Sequence, residues 1–281
     1  MTTIPAALLA VVLMATAENE STTGARTVPG TCDRDGTMRI AAVLEGDTSR
    51  SFVLDTGSSS SLIEAGIAAA LRLPTVGSIA STTSAGAAPV VATMISVGGK
   101  DVGPVRVVAG ERARLRGLIG SADAGIIGMD VIRTLGRVTV DYGACRVEIG
   151  SPRPDRKAVT LPLEWHAGRP IVVVPGVGRL LLDSGATQLT VFEGTAAAAT
   201  FRLVPGPNAL VRIRRVSGDT VARLGIIPSL ALSGLELSSV PTLVVRSWYN
   251  DDPSAPQGLL PVALFSRVHF NSAQGQVILS R

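Results

Sequence analysis

Cysteine is almost missing from this 281-residue chain, with Cys32 and Cys145 the only two. A zinc site built from cysteine alone is therefore excluded, and only His166 and His269 could supplement the pair. Aromatic residues amount to 3%, and none interleaves with the basic residues as a base-stacking platform requires. No G-x-x-x-x-G-K-[ST] phosphate loop occurs. Gly98-Gly99-Lys100 is followed by Asp101 and reads as a hairpin turn. A G-x-S-x-G nucleophile elbow is also lacking. His166 beside a linker and His269 in a terminal strand read as ordinary surface or core residues.

What is present suits a β-rich protein. Hydrophobic residues make up 46% of the chain, enough for a sizeable core, and charged residues only 17%. Short aliphatic runs alternate with Gly- and Pro-marked turns, the pattern of many short strands. The net charge of +4 raises the question of nucleic acid. Arg112, Arg114 and Arg116, and likewise Arg212 and Arg214, alternate as the exposed side of a strand would. Nucleic acid is accordingly not expected as a partner.

Ile4 to Ala17 is an apolar run closing on Ala15-Thr16-Ala17, which resembles a secretory signal peptide although no Lys or Arg precedes it. Residues 1–17 are read as that signal, and export to the periplasm, cell envelope or exterior is expected. Residues 18–38 are read as a leader or short propeptide. In an exported chain Cys32 and Cys145 are candidates for one disulfide, with two free thiols as the alternative.

One phrase is written twice. Phe52-Val53-Leu54-Asp55-Thr56-Gly57-Ser58 recurs as Leu180-Leu181-Leu182-Asp183-Ser184-Gly185-Ala186. Each copy is an apolar strand ending on Asp, then a hydroxyl residue, then Gly. Hairpin signals precede both copies, at 39–54 and 170–182. Gly125-Ile126-Ile127-Gly128 in the first half aligns with Gly258-Leu259-Leu260-Pro261 in the second. A final hairpin closes each half, at 137–149 and 268–279. Residues 39–150 and 157–281 are thus read as two lobes joined by a Pro-rich linker at 151–156. A duplication of this kind predicts an all-β fold with short helices and a pseudo-twofold axis that brings like residues face to face.

The two Asp-Thr/Ser-Gly turns, each behind an apolar strand and each followed by a hydrophobic-hydrophobic segment, resemble the retropepsin-like aspartic proteases, here with two lobes in one chain. The resemblance covers nearly everything after Arg39. It implies an aspartic endopeptidase, acting as a monomer on peptide or protein substrates without cofactor or metal. It assigns the catalytic pair to Asp55 and Asp183. Thr56 and Ser184 fall on the hydroxyl positions that lock the turns together, and Gly57 and Gly185 on positions of close approach. Flaps over the substrate are implied around Ser84 and Gly86 and around Ser217 and Gly218. A catalytically silent peptide-binding module on the same scaffold is the alternative, and an envelope structural protein held by an uncleaved N-terminus is a third.

Two departures from symmetry carry expectations. Pro261 stands where the first half has Gly128 and lacks an amide donor, so the support beneath Asp183 must differ from that beneath Asp55. Ser58 is matched by Ala186. A Ser58 hydroxyl bonded to Asp55 would make Asp55 the more readily ionised carboxyl.

Overall fold

A computed structural model describes residues 25–80, 87–119, 123–150, 155, 157–194, 202–203, 210–213, 220–246, 252 and 254–281. The first half opens with β1 (Arg26–Cys32), β2 (Met38–Leu44), β3 (Ser49–Leu54), β4 (Leu62–Glu64) and the short helix α1 (Ala65–Ala70). Three longer strands follow, β5 (Thr75–Ala80), β6 (Ala87–Val97) and β7 (Lys100–Gly110). Then come α2 (Arg112–Ile119), β8 (Gly125–Ile127), α3 (Met129–Leu135), β9 (Arg137–Asp141) and β10 (Arg146–Ile149).

The second half repeats the plan. It opens with β11 (Val159–Pro162), β12 (Glu164–His166), β13 (Arg169–Val174), β14 (Gly178–Asp183) and β15 (Leu189–Phe192). Next are β16 (Arg202–Leu203), β17 (Leu210–Ile213), β18 (Thr220–Leu232) and β19 (Leu235–Val245). It closes with β20 (Gly258–Pro261), β21 (Arg267–Asn271) and β22 (Gln276–Ser280). A 3-10 turn at Val262–Leu264 replaces the first half's α3.

Burial follows from patterning. Met38, Ile40, Ala42 and Leu44 of β2 point inward at every second residue. Leu180, Leu181 and Leu182 of β14 are all buried, because β14 pairs in parallel with β20 and is covered on both faces. The same parallel pairing joins β3 to β8, Leu54 opposite Ile127. Strands β4 and β15 then cross back antiparallel to β8 and β20. That crossing explains the matched glycines. A Cβ on Gly125 would lie 1.9 Å from the Leu62 carbonyl oxygen, and one on Gly258 2.2 Å from that of Thr190. The chain is therefore an all-β protein of two like lobes, as the repeats predict.

The lobes share a sheet in the order β11-β22-β21-β9-β10-β1. Its two central strands, β9 and β21, come one from each lobe and pair antiparallel with Thr139 opposite His269. These two residues stand on the pseudo-twofold axis, and Thr139 Oγ1 lies 2.9 Å from His269 Nδ1. Burial, then the charges of Arg137 and Arg267, lower the His269 pKa to about 4. Arg267 of the second lobe reaches Glu148 at 2.9 Å and Asp141 at 3.4 Å in the first. Both acids are nearly buried, so the latch is better shielded from salt than a surface pair.

Two sequence readings change. Strand β1 lies within the stretch read as leader or propeptide, yet it pairs with β10 and β2 as an integral strand of the first lobe. Its counterpart in the shared sheet is β11. Arg112, Arg114 and Arg116 belong to helix α2 rather than to a strand. Leu115 and Ile119 are four apart and share one buried helix face, and no β-branched residue interrupts 112–118. Residues 1–17, the linker positions 151–154 and 156, and Ser84, Gly86, Ser217 and Gly218 lie outside the described residues. In the described strands to either side, Ala80 pairs with Ala87 and Ile213 with Thr220. Among the described residues no helix is long and apolar enough to cross a membrane.

Cys32 and Cys145 form a disulfide, their Cα atoms 5.6 Å apart. It ties the end of β1 to the β9–β10 turn across 113 residues. Replacing both cysteines by Ala is expected to cost about 2–5 kcal/mol. Calorimetry should read this as a Tm lowered by about 5–15 °C.

Candidate active site

Asp55 and Asp183 meet where the lobes join. Asp55 follows β3 and Asp183 ends β14, each strand held by its parallel partner, and the Asp55 amide donates to the Ile127 carbonyl at 3.0 Å. Both residues are half-buried, and their carboxyls stand together, since a Cβ on Gly185 would lie 3.1 Å from the Asp55 carboxyl and 3.3 Å from Asp183 Oδ1. A Cβ on Gly57 would fall 2.5 Å from the Asp183 carboxyl, so any side chain there would displace it.

Beneath the carboxyls Thr56 and Ser184 exchange four hydrogen bonds across the axis. Thr56 Oγ1 donates to the Leu182 carbonyl at 2.8 Å and accepts from the Ser184 amide at 3.0 Å. Ser184 Oγ donates to the Leu54 carbonyl at 2.8 Å and accepts from the Thr56 amide at 2.9 Å. Both hydroxyls are buried, so each partner would be an unpaired group without them.

The carboxyls differ in environment. Burial and then the charge of Asp55 push Asp183 up to about 8, against the amides of Gly185 and Ala186 that bond its Oδ1 at 2.8 Å and 3.1 Å. Burial also raises Asp55. It is opposed by the Gly57 amide at 2.8 Å, the hydrogen bond from Asp183, the Ser58 amide and the positive field of Arg169. Both carboxyls are thus raised and titrate as a pair that keeps one proton between them. The cause expected for a more acidic Asp55 is not there. Ser58 Oγ donates to the Ser60 carbonyl at 2.7 Å instead of to Asp55.

Pro261 is matched by changes elsewhere. In the first lobe the Gly128 amide donates to Ser61 Oγ at 2.9 Å. Ser61 Oγ in turn donates to Asp130 at 2.7 Å, and the Ser61 amide reaches the same carboxylate at 2.8 Å. By strand register the second lobe has Pro261, Leu189 and Ala263 at these positions. The missing donor faces no orphaned acceptor, because all three polar partners became apolar together. Leu189 is fully buried, as Ser61 is.

Two neighbours were not legible as site residues. Arg169 opens β13 beside Gly168, where a Cβ would lie 3.6 Å from Ser59 Cβ just beyond the Asp55 turn. Tyr142, half-buried below, has its phenol pKa raised by burial and then by the charges of Asp183 and Asp55. Neither residue belongs to the repeated phrase, which is why pattern matching passes over them. Among the described residues no group of three or more His, Cys, Asp or Glu is gathered as a metal site would need.

The aspartyl protease family matches the sequence twice, over residues 40–131 and 174–263. Each match contains one of the paired aspartates. No curated protein matches the chain.

Thr56→Ala should leave the Leu182 carbonyl and Ser184 amide unpaired, at about 1–3 kcal/mol each. Thr56→Ser keeps both bonds and should lose under about 1 kcal/mol in urea unfolding. The dyad also gives stability a pH slope. The folded chain keeps a proton on Asp183 up to about pH 8, whereas an unfolded Asp releases it near its ordinary 3.8. Stability from this group is therefore present at low pH and lost as pH rises from about 4 to about 8. Asp183→Asn should flatten that part of the Tm–pH curve.

Proposed function

This chain belongs to the aspartyl protease family, and from that premise we propose that it is an endopeptidase hydrolysing peptide bonds with water activated between Asp55 and Asp183. The observation that carries the reading is the meeting of the two carboxyls over the reciprocal Thr56–Ser184 grip, so close that a Cβ on Gly185 would lie 3.1 Å from the Asp55 carboxyl and 3.3 Å from Asp183 Oδ1. The Asp55 anion takes a proton from water as general base, while protonated Asp183 donates to the scissile carbonyl oxygen. Attack by the resulting hydroxide gives a tetrahedral diol. Return of protons through the same pair releases the amine and the acid, with no covalent bond to the enzyme. Paired carboxyls sharing a proton in aspartic proteases are a standard example of this physics, not a result special to this chain.

The fixed grip beneath the carboxyls supplies preorganisation, since the pair need not rearrange as the barrier is crossed. The family resemblance makes the segments between Ala80 and Ala87 and between Ile213 and Thr220 the flap candidates for a bound peptide. The apolar N-terminal run supports the further proposal that the protein acts after export.

Digestion of a denatured protein mixture tests the reading. Asp55→Asn and Asp183→Asn should each lower kcat/KM by about 10³-fold or more, the loss when a group acting as one unit is removed. For the wild type, kcat/KM should fall as pH rises through about 8, where Asp183 loses its proton. Activity that survives either substitution removes the two-carboxyl mechanism. Peptide binding without any cleavage identifies the silent module instead.

A further inference from the structure

Strand alternation puts Val53 on the same face as the Asp55 carboxyl, and Phe52 and Leu54 on the core face. In register beside Val53 stands Ile126, while Ile127 faces the core. Helix α2 lies over these two residues. Its Leu115 and Ile119 pack with Val53 and Ile126 in one cluster, the four only 3–7% exposed. Leu62 at the edge is half-exposed.

The helix is tethered at both ends. Arg112 pairs with Glu64 at 3.5 Å, a largely exposed contact of small worth. Arg39 donates to the Ile119 carbonyl at 3.1 Å and to Asp123, itself buried, at 2.8 Å. Asp123 also accepts from Ser51 on β3 at 2.6 Å. The end of α2 is thus pinned to the strand that carries Asp55.

The equivalent surface beside Asp183 is built differently. Leu181 and Leu259 are in register on the face of Asp183. No helix covers Leu259 among the described residues. The β17–β18 hairpin supplies Val211, Ile213 and Leu224, and these three, like Leu259, are half-exposed over a buried floor that includes Phe192. A substrate side chain can remove water only from apolar surface that still has it. The Asp183 side offers such surface, whereas on the Asp55 side the protein's own Leu115 and Ile119 have already taken it.

We propose that α2 makes the cleft unequal, with Leu115 and Ile119 as specificity-determining residues that restrict the Asp55 side to small residues while the Asp183 side takes a large apolar one. The inference rests on the endopeptidase reading and adds to it a substrate class: peptides cut between a bulky aliphatic or aromatic residue and Gly, Ala or Ser.

A peptide library with all residues at the two positions flanking the cut tests this, digested by wild type, Leu115→Ala and Ile119→Ala. Wild type should cut large–small pairs and discriminate against a second large residue. Either substitution should raise relative kcat/KM for the large–large peptides by about tenfold or more, the scale of a few methylenes in an apolar pocket. Equal acceptance of large residues at both positions by wild type overturns the proposal and leaves the endopeptidase reading intact. Unchanged preference in both folded variants overturns it as well. Calorimetric binding of the same peptides to Asp183→Asn reads the size preference without cleavage. If wild type cuts nothing but that variant still prefers large–small peptides, the inequality stands and the activity is what fails. If no size preference appears in binding either, the proposal fails.

Discussion

The exchange of hydrogen bonds between Thr56 and Ser184 is the constraint on which the rest of the molecule depends. Two carboxyls facing each other repel when both are charged and lose hydration when buried, so nothing about Asp55 and Asp183 themselves would hold them together. The grip beneath them does. Each hydroxyl satisfies one amide and one carbonyl of the opposite lobe, so separating the lobes would bare four buried backbone groups at once. The carboxyl pair is thus held by bonds that contain no titratable group.

The remainder of the fold keeps that grip in place. The shared sheet fixes the floor, with Thr139 and His269 on the axis and Arg267 reaching across to Asp141 and Glu148. The disulfide anchors β1 to the same floor. The parallel pairs β3–β8 and β14–β20 hold up the two Asp turns, and they need Gly125 and Gly258 because a neighbouring carbonyl passes where a side chain would stand. Fold and site are therefore one structure, since the same crossing that buries the strands aims the carboxyls.

Much of this was written in the residues. The double Asp-hydroxyl-Gly phrase, the matched Gly125 and Gly258, and the hairpins before each phrase specify two like lobes, because local hydrogen bonding and sterics admit few other residues there. What escaped had other causes. Strand β1 looked like a leader because its sequence, RTVPGTC, has a weak apolar alternation and owes its order to its neighbours β10 and β2. Helix α2 was hidden because arginines at every second position imitate a strand, while the helical signal lay in Leu115 and Ile119. The Ser58 hydroxyl bonds the Ser60 carbonyl, a choice of acceptor that sequence does not state. Arg169 and Tyr142 approach the carboxyls through the fold alone.

The relation between the lobes shows how a duplicated chain diverges without losing its centre. A lone change of Gly128 to Pro would remove the amide that the buried Ser61 hydroxyl accepts from and leave that hydroxyl one partner short. In the second lobe Pro261 arrives with Leu189 and Ala263, which need no partner at all. The supports beneath the two turns are thus of different kinds, a hydrogen-bonded network under Asp55 and an apolar plug under Asp183. The bonds that cross the axis are reciprocal in both directions. Symmetry is kept where the lobes must grip each other, and it is relaxed one shell away. The relaxed shell includes the wall over Val53 and Ile126, covered by a helix, and the wall around Leu259, formed by a hairpin. A peptide bond is itself unsymmetrical, with an acyl side and an amine side. If the cleft takes a peptide as proposed, unequal walls around an equal grip would present different surfaces to its two sides, which identical lobes could not do.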